Sequence, residues 1–136
     1  MQRTASAHWS GGLKDGKGTV STQSGVLSQT QYSFSTRFEN GVGTNPEELI
    51  AAAHAGCFTM ALANELTAAR HPPKALRTNA RVQLRNHEGA ITLVRIDLET
   101  EGDVLGIDER EFQAYAEAAK RECPRHRPWP GSQKSP

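Results

Sequence analysis

The sequence predicts an α+β fold, on three observations. Strand-like segments separated by turn signals fill the first forty residues, a long and almost wholly apolar helix follows, and two further strands precede a final amphipathic helix. Strands and helices come in blocks rather than in strict alternation, which favours α+β over α/β. The chain has 136 residues, 36% of them hydrophobic, with 12 glycines, an ordinary composition for a single globular domain able to bury a core. Sixteen Lys and Arg against 15 Asp and Glu leave a formal charge of +1, so bulk charge gives no sign of a nucleic-acid partner.

The first strands are read between Gly11-Gly12, Asp15-Gly16 and Ser24-Gly25, over Ala5–Trp9, Lys17–Thr22 and Gln31–Phe38. In the third, Tyr32, Phe34, Thr36 and Phe38 share one face, and Arg37 leaves the sheet on the other. A loop over Glu39–Thr44 leads to a strong helix start. Asn45 is a good N-cap, Pro46 fits the first helical position, and Glu48 stands where a capping box needs it. The helix is expected to reach about Arg70, before Pro72-Pro73 stops it. Its middle, LIAAAHAGCFTMALA, is apolar or small on every side, so it must be buried on every side. A chain this short has few elements to wrap it, which predicts a homodimer.

Leu76, Thr78, Ala80, Val82 and Leu84 then alternate as a strand. A hairpin turn over Asn86–Gly89 precedes a strand over Ala90–Glu101, whose apolar phase shifts between Leu93 and Val94, the mark of a bulge. The last helix is expected over Asp108–Cys123, capped by Asp108 with Glu111 at the box position. Phe112, Tyr115, Ala116, Ala119 and Cys123 fall on one face of it. The basic, proline-rich tail RHRPWPGSQKSP reads as irregular or disordered, and its scattered cations as solvated. No run of 18 apolar residues is present, so no membrane span is expected. The start, MQRTASAHW, lacks an apolar signal core, so the expected compartment is cytoplasmic.

Two cysteines argue against a disulfide scaffold and leave redox, metal or catalytic use open. Cys57 and Cys123, 66 residues apart, each lie on a core-facing stretch of helix. Each is readable as a small core hydrophobe. If packing brings them together, Cys57 is the better nucleophile and Cys123 the better resolving thiol. The C-terminal helix dipole disfavours a thiolate at Cys123, whereas Cys57 needs only a nearby cation such as Arg37. From the sequence alone Arg37 reads first as a solvated strand residue and only second as a catalytic one. Glu47 and Glu48 suit the first helical turn electrostatically, and Glu47 could also orient an arginine beside the thiol. His54-x-x-Cys57 and Cys123-x-x-His126 together would suffice for a tetrahedral zinc site, although His54 also reads as a packed core histidine.

Four segments carry a family resemblance: AHWSGGLKDGKGTVSTQSGVL (7–27), YSFSTRFE (32–39), GTNPEELIAAAHAGCFTMAL (43–62) and GIDEREFQAYAEAAKRECP (106–124). The chain resembles the osmotically inducible protein C (OsmC) and organic hydroperoxide resistance (Ohr) proteins, and the TRFE and LKDGKGT pieces favour the OsmC branch. The resemblance implies an intertwined α+β homodimer with central long helices wrapped by β-sheets. It implies a cysteine-based peroxidase that reduces organic hydroperoxides, and hydrogen peroxide less well, in oxidative and osmotic stress defence. It implies Cys57 as the peroxidatic and Cys123 as the resolving cysteine, Arg37 as the thiolate-activating arginine and Glu47 as its carboxylate partner. The Arg–Glu pair would come from the neighbouring subunit. A dithiol, often lipoyl-type in the family, would be the reductant, with no metal or organic cofactor. Phe58, Met60, Ile50 and Phe38 would line the substrate side of the thiol. On this reading residues 1–124 form the OsmC-like domain, and 125–136 replace the family's usual final strand. The alternative is a redox-impaired protein of the same fold, serving as a binding or stress-inducible structural module.

Overall fold

The computed structural model describes residues 1–38 and 43–122. Met1–Ile50 form one compact unit and the residues from Ala51 onward a second. The first holds β1 (Ala5–Ser10), β2 (Lys17–Thr22), β3 (Thr30–Tyr32), α1 (Phe34–Phe38) and the first turn of α2 (Pro46–Ala68). The rest of α2, β4 (Ala75–His87), β5 (Ala90–Asp103) and α3 (Glu109–Glu122) belong to the second.

β1, β2 and β3 form an antiparallel sheet in that order, with Trp9 opposite Gly18 and Gly18 opposite Tyr32. The two rings lie 5.5 Å apart at 59°, over the glycine. A Cβ at Gly18 would stand 2.5 Å from Trp9 Cε3 and 2.6 Å from Tyr32 Cε1, so the aromatic pair needs glycine between its members.

The expected strand over Gln31–Phe38 is corrected: β3 stops at Tyr32, and residues 34–38 make a helical turn. The cause is local. Ser33 Oγ accepts the Thr36 N–H at 3.3 Å, Thr36 Oγ1 accepts the Ser33 N–H at 2.7 Å, and the Arg37 N–H donates to Ser33 O at 3.1 Å. This reciprocal cap offers the backbone a partner other than the sheet ladder, and it overrides an alternation that looks like a strand. Arg37 therefore sits in the last turn of α1, not on a sheet face.

α2 starts as expected at Asn45, whose Oδ1 accepts the Glu48 N–H at 2.7 Å. The returning half of the expected box differs: the Glu48 carboxylate takes the Thr44 hydroxyl at 2.8 Å. The helix ends at Ala68, two residues before the expected Arg70. The His71 N–H donates to Leu66 O at 2.8 Å and the Arg70 N–H to Thr67 O at 3.0 Å, with Arg70 at φ +68°. This is a Schellman ending with arginine in the left-handed position usually held by glycine.

In the second unit β4 and β5 pair antiparallel through a two-residue turn, Glu88-Gly89, with φ of +52° and +82°. Two successive positive φ values define the type I′ hairpin turn, whose twist matches that of the strands. Gln83 pairs with Arg95 and Leu84 with Leu93, leaving Val94 as the extra residue of a bulge where the apolar phase shift placed it. α3 is closed by a full capping box: the Glu111 N–H donates to Asp108 Oδ1 at 2.8 Å and the Asp108 N–H to Glu111 Oε1 at 3.3 Å.

The core is Phe58, Leu62 and Leu66 of α2 with Ala119 of α3, flanked by Leu76, Leu98, Phe112, Tyr115 and Ala116. Leu62 and Leu66 are fully buried, and each stabilises the fold by about 1.5–3 kcal/mol relative to exposure. Thr59 Oγ1 lies 2.7 Å from Ala55 O and 2.6 Å from Thr78 Oγ1, and Thr78 continues to Thr100 at 3.2 Å, tying helix to sheet. The expectation of a helix buried on every side fails within one chain. His54, Phe58, Leu62 and Leu66 form a single buried stripe, while Met60 is 78% exposed and a Cβ at Gly56 would meet nothing within 4 Å. By length and composition alone α2 is long and apolar enough to cross a membrane, a test that the core helix of a globular protein also passes. Its packed stripe and its hydroxyl link to β4 make it the central helix of a globular unit.

Candidate active site

Arg37 and Glu47 are brought together by a short network at the entry to α2. Asn45 does two things: its Oδ1 caps α2, and its Nδ2 donates to Thr36 O in α1 at 3.0 Å. Thr44 is anchored by its N–H to Gln31 O of β3 at 3.0 Å. With both helix ends fixed, Arg37 Nε donates to Glu47 Oε1 at 2.7 Å. The Glu47 side chain is 12% exposed and that of Arg37 39%. A pair this open to solvent contributes under ~1 kcal/mol to stability. Its value lies in holding a guanidinium in one orientation, which the planar fork of arginine suits. The second role of Asn45 was missed from sequence, and its signal was the Ser-x-x-Thr of residues 33–36, which places Thr36 O at a helix end.

Cys57 is half-buried, about three turns into α2. At about 100° per residue it stands about 60° from His54 and about 60° from Met60 around the helix. It therefore lies on the border between the buried stripe and the exposed one. Phe58 is 6% exposed within the core and Met60 is 78% exposed, about 160° apart around the helix, so the expected substrate wall would draw on both faces of α2. Ile50 is half-buried in α2, and the Phe38 side chain lies outside the described residues.

Cys123 and His126 also lie outside the described residues, as do Pro124 and the tail. The Cys57–Cys123 pairing and the four-ligand zinc set rest on them. Among the described residues no three His, Cys, Asp or Glu side chains gather as a metal site. His54 is 6% exposed on the core stripe, as a packed histidine would be. It lines a cavity of about 330 Å³ together with Phe58, Leu98, Phe112, Glu117 and Lys120, among others.

A family model described as OsmC-like protein matches residues 38–128. The chain belongs to the OsmC family. It is 48% identical over 124 residues to the Peroxiredoxin OsmC of Escherichia coli K12, covering 91% of this chain and 87% of that protein; the Shigella flexneri protein of the same name matches equally. Among solved structures, the organic hydroperoxide resistance protein OhrB of Bacillus subtilis superposes with a TM-score of 0.65 at 25% identity, over 90% of this chain and 87% of that one. An organic hydroperoxide resistance protein OsmC from Legionella pneumophila gives 0.67 at 23% identity, over 93% and 87%, a likeness of fold. These matches agree with the α+β class and with the OsmC branch.

Proposed function

We propose that this OsmC-family chain is a cysteine-based peroxidase that reduces organic hydroperoxides to alcohols. Its 48% identity to a peroxiredoxin along nearly the whole chain carries the class of activity, and the Arg37–Glu47 pair carries the assignment of roles. Cys57 is the peroxidatic thiol. As a thiolate it attacks the terminal peroxide oxygen, the S–O bond forms as O–O breaks, and the alkoxide leaves and is protonated to the alcohol. Arg37 stabilises the thiolate and the charge that develops on the peroxide oxygens, and Glu47 holds the guanidinium in place. Cys123 then attacks the Cys57 sulfenic acid, releasing water and forming a disulfide. A dithiol, such as a lipoyl group, reduces that disulfide by exchange through a mixed disulfide.

We infer further that the working unit is an intertwined homodimer in which the Arg37–Glu47 pair of one chain serves Cys57 of the other. The stripe of α2 around Gly56 and the 78% exposed Met60 supports this reading, because small residues there leave room for a second helix. A reducing, cytoplasmic setting suits an enzyme whose thiols must be regenerated. The deciding experiment is titration with cumene hydroperoxide followed by mass spectrometry of the thiols. A Cys57–Cys123 linkage with stoichiometric alcohol is expected. Two thiols that stay reduced while peroxide persists would favour a redox-impaired binding or structural protein instead.

A further inference from the structure

The peroxidase chemistry leaves one proton without a carrier, and one buried titratable side chain without a task. The thiol of Cys57 must lose a proton before attack, and the alkoxide must gain one afterwards. A guanidinium does not give up its proton in proteins, so the arginine of the pair cannot relay it. His54 precedes Cys57 by three residues on α2, a spacing that brings Cβ atoms within about 5–6 Å. Helical side chains lean toward the N-terminus, so Cys57 leans over the turn that carries His54.

The position of His54 is unusual for its stripe. The buried positions that follow it at four-residue intervals are Phe58, Leu62 and Leu66. An apolar side chain would continue the pattern, whereas a buried imidazole makes hydrogen-bonding demands that an apolar residue does not. Nor is His54 sealed in: it lines a cavity of about 330 Å³ whose walls include Leu98 and Thr100 of β5 and Phe112 and Ala116 of α3. The charged groups around that space are Asp97 of β5 and Glu117 and Lys120 of α3.

We propose that His54 is the proton carrier of the peroxidatic step. It accepts the Cys57 thiol proton, giving a thiolate and an imidazolium. As the S–O bond forms and the O–O bond breaks, the imidazolium returns that proton to the departing alkoxide. Thiol plus hydroperoxide thus become sulfenic acid plus alcohol, with no further reactant. The inference rests on the peroxidase reading above and adds to it a residue beyond the Arg–Glu pair.

The test is single-turnover sulfenic acid formation, trapped with dimedone, in the full chain carrying His54→Ala or His54→Asn. Proton transfer by a positioned side chain is worth about 10²–10⁴-fold, so both variants are expected to slow by at least about tenfold. The cavity enlarged in His54→Ala has room for free imidazole, which is expected to restore the rate saturably in that variant and not in the wild type. A purely structural histidine predicts no such rescue. His54→Asn keeps a polar side chain of similar size and carries the test if the alanine variant does not fold. A folded His54→Asn protein at the wild-type rate, or an alanine variant indifferent to imidazole, overturns the inference. Wild-type protein that consumes no peroxide overturns the peroxidase reading and the inference together, so the two failures are distinguishable.

Discussion

Glu47→Gln separates orientation from stability at the proposed site. The amide keeps the volume and an acceptor oxygen, but it removes the charge that holds Arg37 Nε at 2.7 Å. With the arginine side chain 39% exposed, the lost pair costs under ~1 kcal/mol of folding free energy. Reactivity is more sensitive. At an effective dielectric near 20, unit charges about 4 Å apart interact by ~4 kcal/mol, and about 6 Å apart by ~2.8 kcal/mol. A guanidinium released to drift by about 2 Å thus stabilises the reacting thiolate by ~1.4 kcal/mol less, which is about tenfold in rate. The assay is stopped-flow consumption of cumene hydroperoxide beside urea denaturation of the same samples. The expected result is a peroxidatic rate down about tenfold with a nearly unchanged denaturation midpoint. A rate within twofold of wild type, alongside an inactive Arg37→Ala protein, would refute an orienting role for Glu47.

Other outcomes follow from single contacts. Cys57→Ser is expected to abolish peroxide consumption while leaving the circular dichroism spectrum intact. Leu66→Ala, at a fully buried position, is expected to cost about 3–5 kcal/mol in urea denaturation. Met60→Glu, on the exposed stripe of α2, is expected to shift sedimentation from dimer toward monomer. Arg70→Gly relieves a left-handed residue at φ +68° and is expected to raise stability by about 1 kcal/mol.

Much of the fold was legible because its signals agree across levels. At α3, Asp108 and Glu111 predict a capping box, the spacing of Phe112, Tyr115 and Ala116 predicts a face, and both are present. The bulge at Val94 was readable because a phase shift in a strand has few other causes. α1 was not, because Tyr32, Phe34, Thr36 and Phe38 alternate as a strand does, while two hydroxyl contacts between Ser33 and Thr36 decide the outcome. At the candidate site the meeting of Arg37 with Glu47 was implied by the family resemblance, whereas spacing alone offered only that Glu47 could orient an arginine. The sidedness of α2 was not legible. A helix apolar all round shows no preferred face, so only the observed packing separates Phe58 from Met60. For the same reason His54 could be read as a core residue or a ligand, and the adjoining cavity was invisible.

The bulge at Val94 also limits how this protein can change length. Side chains in a strand alternate with period two, so one inserted or deleted residue turns everything beyond it to the opposite face. β5 already contains one such odd residue, between the partners of Gln83 and Leu84. Deleting Val94 would leave a regular ladder, because Arg95 already pairs with Gln83 and Leu93 with Leu84. Any other single insertion or deletion along β5 would need a further bulge or would turn the strand beyond it over. Insertions and deletions should accordingly be far better tolerated at the Glu88-Gly89 turn than along β5, and a peptide tag or binding loop grafted into this protein belongs at that turn.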